Sequence, residues 1–512
     1  MGSITRLCVL AIAAIGFLFD TYELLMFPVI GSQAISEVHY HKGFEKLSPE
    51  EIGGVRLWSG RMLWIAALSG GVFGLLGGLL IDRLGRKTIM VASILAYSVS
   101  PVAAAFSTEL WQLVLFRCTT FIGVCVEMVA AVTWLAELFE DKRTRELVIG
   151  WTLATASLGG IFVTLAYNAI VAAAKAPSSL PDFPFPEGHL PDNVAWRFTL
   201  LTGLIPGAAI LLLMPFVPES AVWKRKKQEG TLKRASFGEL FSPELRLTTI
   251  ATTILSACGY AAAFGAIQLT PLLIVAGLPD IAAENAKIAS GIKTAETKLK
   301  EARDGTPEHA EAKTQLAEAQ KAQKAGGQAL QERRGNIQAW QEIGGLLGRI
   351  LLAVLLLFVP SKMLIRLFLV PGIFLFPLTY FRLVHEDYLI FAVAIFFCGL
   401  LTVAQFSFLS EFLPRVFPMH LRGTGGSFAT NFGGRMIGTM AATFNTEVLS
   451  NFFTGTPPMR VAAAAGVIGG AVYLIALVAT FLLPSPHAEV EKQAAAYGRD
   501  EALNEPKAET VD

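Results

Sequence analysis

The stretch IAAIGFLFDTYELLMFPVI (12–30) decides how the rest of the chain is read. It is almost wholly apolar and close to the roughly 20 residues that cross a bilayer as a helix. Yet Asp20 and Glu23 stand inside it, one helical turn apart, with Tyr22 between them. Two carboxylates in a segment suited to lipid need a partner, a water cavity or a task. MGSITR (1–6) before the run imitates a signal peptide. The run continues too long for one, and acids replace the small-residue cleavage site, so it is expected to stay as a helix.

The same composition extends along the chain. Of 512 residues, 53% are hydrophobic and only 16% charged, with 35 Phe. Soluble domains carry about 25% charged residues, so a bilayer is the expected surrounding. A formal net charge of +1 implies no nucleic-acid partner. Cys8, Cys118, Cys125, Cys258 and Cys398 all lie in apolar runs without metal or disulfide spacing, and read as packing residues. No cofactor or metal site is expected. An enzyme is not expected either, because phosphate loops, metal-ligand clusters and nucleophile elbows are missing from the sequence.

Apolar runs predict twelve spans near 5–30, 57–81, 88–108, 110–136, 147–173, 196–217, 247–275, 336–359, 364–384, 388–411, 423–450 and 460–483. Basic loops DRLGRK (82–87), EDKRTRE (140–146) and WKRKKQEGTLKR (223–234) alternate with basic-poor STE (107–109) and HED (385–387). By the positive-inside rule both termini are cytoplasmic, in a multi-pass protein of the inner or plasma membrane. The expected organisation is a six-helix bundle over 1–217, a cytoplasmic linker over 218–246, a second six-helix bundle over 247–483 and a polar tail over 484–512.

Within the second bundle, 276–335 lies outside by parity. Ile288, Ile292, Ala295, Leu299 and Ala302 recur at 4-3-4-3, and Ala312, Leu316 and Ala319 resume the rhythm after DGTPE (304–308). This predicts an alanine-rich helical hairpin with Thr306 as N-cap and Pro307 at the first helical position. It reads either as a solvated insertion or as a surface for an extracytoplasmic partner. LAELF (135–139) and LSEFLPRVFPMHLRG (409–423) end spans in corresponding places of the two halves, which suggests parallel internal repeats.

GLLIDRLGRK (78–87), between the second and third spans, resembles the signature Gly-x-Leu-x-Asp-Arg-x-Gly-Arg-Lys of the major facilitator superfamily. RCTTFIGVCVE (117–127) resembles its fourth-span motif, with Phe121 and Cys125 where glycines are usual. VPESAVWKRKKQ (217–228) and LSEFLPRVFPMHLRG resemble the elements after the sixth span and at the tenth. The loop after span eight, in LLLFVPSKMLIR (355–366), lacks the second copy of the signature. FLFDTYELLMF (17–27) looks like the first span of the aromatic-acid and metabolite proton symporters, with Thr21 and Glu23 replacing their glycine and second acid. A single Gln268 and LPSPHAE (483–489) weaken a sugar-porter reading, and a fifth span without proline weakens an efflux reading.

The resemblance implies an all-α membrane protein that works by alternating access. It implies that Gly78, Asp82, Arg83, Gly85, Arg86 and Lys87 form a cytoplasmic gate, with Glu137 and Arg145 as partners of Asp82 and Arg86, and with Glu411 and Arg422 as second-half counterparts. It also implies that a first-span acid faces Arg117, which depth independently supports. The expected proton-coupling set is Asp20, Glu23, Arg117 and Glu127. An arginine that moves toward and away from a carboxyl swings its proton affinity; a permanent structural salt bridge is the alternative. Glu23→Gln is expected to abolish accumulation while sparing exchange, and full accumulation in that variant moves the role to Asp20 or removes it altogether.

Arginine suits bidentate carboxylate recognition. Arg435, in NFGGRMIG (431–438) with Gly433 and Gly434 beside it, and Arg349 in span eight are therefore candidates for an organic anion. Pairing with Glu342 or Glu447, or snorkelling, is the alternative. Tyr22, Tyr167, Asn168, Tyr260, Gln268, Gln405 and Asn431 are candidate cavity-lining groups that also suit helix–helix hydrogen bonds. His39 and His41 read as a solvated loop or an outer metal or pH site. The function expected is proton-coupled symport of a small organic anion by a monomer in the bilayer. The competing readings are a neutral sugar porter, an exporter, and a transporter-like receptor that uses the hairpin.

Overall fold

A computed structural model describes residues 3–138, 142–175, 180, 183, 195–213, 219, 221–228, 237–302, 306–356, 358–418 and 421–484. Helices carry almost all of them, and no strand occurs among the described residues. In hydrocarbon every backbone N–H and C=O must be satisfied within the protein, and a helix does so locally. The first half holds α1 (Ser3–Tyr40), α2 (Pro49–Leu84), α3 (Arg86–Ala105), α4 (Leu110–Leu138), α5 (Lys142–Lys175), α6 (Ala195–Leu201) and α7 (Leu204–Leu213). After α8 (Ala221–Gln228) follow α9 (Arg246–Ala262), α10 (Leu269–Leu272), α11 (Pro279–Glu301), α12 (Pro307–Leu355), α13 (Ser361–Pro377), α14 (Tyr388–Val416), α15 (Arg422–Ser427), α16 (Met440–Thr443) and α17 (Pro457–Ala479).

Eight described helical segments are long and apolar enough to cross a membrane, and Leu158–Ala174 is a shorter apolar helix. The remaining expected spans differ for local reasons. Span six is broken into α6 and α7 at Thr202–Gly203, because Pro206 has no N–H to bond the Thr202 carbonyl. Span seven leaves α9 through a π turn at Ala263–Ile267, where Pro271 cannot bond the Ile267 carbonyl. Span eleven runs α15, a π-helical segment Phe428–Gly438, α16 and a second π turn Phe444–Val448. Span eight has no start of its own. It is the end of α12, a single helix of 49 residues, about 74 Å long at 1.5 Å per residue.

Local chemistry fixes several ends. Ser48 and Glu51 form a capping box on α2, with Pro49 at its first turn. Gly85 separates α2 from α3 at φ 101°, a conformation that disfavours other residues. The Thr306 hydroxyl accepts from the His309 N–H at 3.3 Å and caps α12. α11 lies antiparallel along the start of α12: Lys298 meets Gln315, Ile288 meets Gly326, and Arg333 meets Asp280 at 3.0 Å. His39 belongs to α1 rather than to a loop, with its ring on Tyr40 and Trp58. No metal-holding cluster of His, Cys, Asp and Glu occurs among the described residues. All five cysteines are free thiols.

Apolar side chains also cover the outside. Ile350, Leu351 and Val354 on α12, with Leu389, Val393 and Phe397 on α14, are exposed, as expected for surfaces that meet acyl chains rather than water. Helix packing links the two halves of the chain. α12 packs against α5, and α2 packs against span eleven.

Candidate functional site

Asp20 and Glu23 lie three residues apart on α1, so they leave the helix about 60° apart. The packing sends them to different partners. Gly16, one turn before Asp20, lets α1 press onto α4: a Cβ there would lie 2.5 Å from Glu127 Oε1. Asp20 and Glu127, both buried, meet within hydrogen-bond reach. Two carboxylates have no donor between them, so a hydrogen bond here requires a proton on one of them. Arg435 from the π-helical segment of span eleven completes the cluster as the cation that acts on Asp20. Its Nη1 donates to Asn431 Oδ1 at 2.6 Å and its Nη2 to Met128 Sδ at 3.6 Å, and the Tyr260 hydroxyl is also in reach.

Glu23 points instead toward Arg117 and the break between α6 and α7. A Cβ on Gly203 would lie 2.5 Å from Glu23 Oε1. Arg117 does not make the expected carboxylate pair with either acid. Its Nη1 donates to the Glu23 carbonyl at 2.8 Å and its Nη2 to the Leu24 carbonyl at 3.0 Å, with Phe27 and Phe121 rings against the guanidinium. The carbonyl of Leu24 is open to Arg117 because Pro28, four residues on, has no N–H to bond it. Glu23 and Arg117 share a cavity of about 20 Å³ with Pro101, Thr120 and Leu200. That is room for about one water and not for an organic substrate.

The second-half candidates separate in the same way. Arg349 is placed next to Glu342, which also accepts from Gln341 Nε2 at 2.9 Å. Glu342 reaches across to the first half, where a Cβ on Gly160 would lie 2.0 Å from its Oε2. Glu447 is bound by Arg61. Gly433 and Gly434 make room for α9 rather than for substrate: Cβ atoms there would lie 2.6 Å from the Thr253 carbonyl and 2.5 Å from the Tyr260 ring. Tyr260 stacks on Phe264 and meets Phe406 edge-on. Tyr22 shares a hydrogen bond with Thr202. Gln268 and Gln405 are buried with, respectively, Oε1 and Nε2 lacking a hydrogen-bond partner among the described residues.

At the signature loop, the side chains of Asp82, Glu137, Arg145, Glu411 and Arg422 lie outside the described residues, as does the surface of Gly78. Arg83 is exposed and Arg86 buried. Glu219, from the VPES stretch, was not singled out by sequence reasoning. Its carboxylate accepts from the backbone N–H groups of Arg86 and Lys87 at 3.1 Å, a favourable place for an anion at the start of α3. A Cβ on Gly85 would meet that same carboxylate at 2.5 Å.

The described contacts between α2 and span eleven run along α2 from Arg56 to Gly74, which lies against Asn431. Arg56 donates to Ser450 Oγ at 2.9 Å, Trp64 Nε1 to the Met436 carbonyl at 3.1 Å, and Arg61 pairs with Glu447. Arg61→Ala removes a half-exposed pair worth about 0.5–1 kcal/mol. The expected result is a rise of about two- to fivefold in labelling of a cysteine placed at the buried Thr446, which faces Gly60, by the tenfold-per-1.4 kcal/mol rule. Unchanged labelling would show that the pair does not hold this end closed. Sequence reasoning also missed the buried Arg197–Glu37 ion pair at 2.8 Å and the buried Arg334. The only sequence signal was a charge at the edge of an apolar run.

A family model described as Major Facilitator Superfamily matches residues 10–292, more than half of the chain. The chain is 30% identical over 224 residues to the 3-(3-hydroxy-phenyl)propionate transporter of Escherichia coli, covering 42% of this chain and 48% of that protein. It is 31% identical over 170 residues to the 4-hydroxybenzoate transporter PcaK of Pseudomonas putida, covering 33% of each. It is 26% identical over 178 residues to a probable 4-methylmuconolactone transporter of Cupriavidus pinatubonensis, covering 35% of this chain and 37% of that protein. The match thus spans less than half the length of these relatives. A crystal structure of a D-xylose-proton symporter superposes with a TM-score of 0.60 at 14% identity, over 94% of this chain and 99% of that one. That likeness concerns the fold alone.

Proposed function

The chain belongs to the Major Facilitator Superfamily, and from that premise we propose that it is a proton-coupled symporter of a small organic anion. The proposal includes twelve spans in two six-helix bundles, both termini in the cytoplasm of a cell with this protein in its inner or plasma membrane, and the α11–α12 hairpin outside. Rocking of the bundles about a midplane site then moves the substrate. With this orientation the contacts of α2 with span eleven close the outer side, and the signature loop lies at the inner gate.

One observation carries this reading: Asp20, beside Glu127 in the first half, lies within electrostatic reach of Arg435 of the second. The acids can hold a proton, and the guanidinium offers a carboxylate-binding fork whose position depends on how the halves sit. Asn431, Tyr260, Gln405, Gln268 and Tyr22 are the further candidate substrate contacts in this reading. Arg349 has Glu342 beside it and is the weaker substrate candidate. The names of the relatives, among them transporters of 4-hydroxybenzoate and 3-(3-hydroxy-phenyl)propionate, point to aromatic carboxylates as the first class to test.

The test is proton movement into proteoliposomes on addition of aromatic carboxylates, aliphatic carboxylates and neutral sugars. A carboxylate is expected to alkalinise the outside, and Arg435→Ala to lose the signal. A response to neutral sugars alone would turn Arg435 into a packing residue and overturn the anion reading.

A further inference from the structure

Arg334 is wholly buried in α12, at the end of the helix bundle opposite the signature loop. None of its three guanidinium nitrogens has a hydrogen-bond partner among the described residues. The Phe44 ring lies 4.7 Å from the guanidinium carbon on one side. Tyr167 from α5 and, more weakly, Glu45 act on the guanidinium electrostatically. Glu45 itself is drawn toward Gly327, two turns back along α12.

The polar groups around Arg334 are unused as well. The Tyr167 hydroxyl, Asn168 Oδ1 and Gln338 Oε1 all lack partners among the described residues. Gln338 Nε2, by contrast, is tied to the Leu25 carbonyl at 2.8 Å, which fixes that side chain across the two halves. The helices meet closely here: a Cβ on Gly335 would lie 1.8 Å from Asn168 Oδ1. Five N–H donors left unmade in a buried place are costly, and a structural arginine would use them.

We propose that Arg334, with Tyr167 and Gln338, is a second carboxylate-binding site that takes the organic anion when α5 and α12 part, before it passes to the Arg435 level. This rests on the anion-symport reading above. A planar guanidinium flanked by an aromatic ring presents two parallel N–H donors to a carboxylate, and Tyr167 and Gln338 supply hydrogen bonds to polar substituents on the same ligand. In the closed arrangement Phe44 and Tyr167 cover the fork, so the anion has been handed on.

The experiment compares wild type, Arg334→Met and Arg334→Lys in proteoliposomes with 4-hydroxybenzoate and 3-(3-hydroxyphenyl)propionate as probes. Thermal unfolding in detergent checks the fold. Arg334→Met removes a buried unpaired charge, so its unfolding midpoint is expected to equal or exceed that of wild type. The apparent KM for the carboxylates is expected to rise at least tenfold with the maximal rate kept within twofold, and Arg334→Lys to restore part of it. An unchanged KM in Arg334→Met, or a lost maximal rate at unchanged KM, overturns this site while leaving the symport reading in place. Wild-type protein that carries neither probe nor any other carboxylate removes the symport reading and this site with it.

Discussion

Asp20→Asn is expected to abolish proton-driven accumulation while substrate exchange across the membrane continues. A coupling carboxyl must change its electrical surroundings between the two faces of the cycle. Asp20 has Glu127 beside it in its own half and feels the charge of Arg435 from the other, so relative motion of the halves alters its field. Glu23 has Arg117 beside it within the first half. Rigid-body rocking would carry that pair together and change it little. In the proposed symport cycle the proton therefore belongs on Asp20 rather than on Glu23, the acid whose replacement the sequence reading expects to abolish coupling. A proton gradient equivalent to about 100 mV supplies about 2.3 kcal/mol per proton, and that supports roughly a 50-fold substrate gradient at 1.4 kcal/mol per tenfold. Wild type should approach such a gradient, and Asp20→Asn should stop at equal concentrations while counterflow persists. Glu23→Gln should still accumulate. Accumulation by Asp20→Asn together with its loss in Glu23→Gln would return the proton to the Arg117 side.

Much of this was legible from local sequence. Carboxylates inside an apolar run stand out by cost alone, and the signature loop is a contiguous string with Gly85 at its turn. The partners were not legible. A 60° difference in direction on α1 sends Asp20 and Glu23 to different helices, and only packing against α4 and span eleven decides which. Arg117 was expected at a carboxylate, but it binds the backbone carbonyls of Glu23 and Leu24, the second of which the proline at 28 leaves without its helical donor. The break in span six was readable from Pro206. The π-helical course of span eleven was not, because that segment contains no proline. Gly433 and Gly434 leave room beside Arg435 for a substrate or another backbone, and only packing shows that α9 takes it. Arg334 was hidden by its company. It ends a charge-rich run that reads as solvated hairpin, while α12 continues unbroken and carries it into the bundle.

Gly344→Leu is expected to prevent the protein from folding to a monodisperse species. Within a bilayer, helices associate through van der Waals packing rather than through escape from water, and small residues let backbones touch. The α12–α14 seam depends on this at successive turns. A Cβ on Gly344 would lie 2.0 Å from the Phe396 carbonyl oxygen, one on Gly348 2.2 Å from that of Leu400, and one on Gly399 2.3 Å from that of Gln341. Overpacking costs about 1–3 kcal/mol when side chains can turn aside. Here the obstacle is backbone, which no rotamer can relieve, so the cost of leucine should be at least ~3 kcal/mol on that scale. Gly344→Ala should already lower the unfolding midpoint, since the collision begins at Cβ. Gly291→Ala on α11, where a Cβ meets nothing within 4 Å, should instead be neutral or stabilising by about 0.5–1 kcal/mol through helix propensity. Size-exclusion profiles and unfolding midpoints of the three variants decide the matter. Wild-type behaviour of Gly344→Leu would mean that the seam is looser than described. It would then also free α12 to shift along α14, and with it Arg334, Glu342 and Arg349, which the helix holds at fixed intervals against the first half.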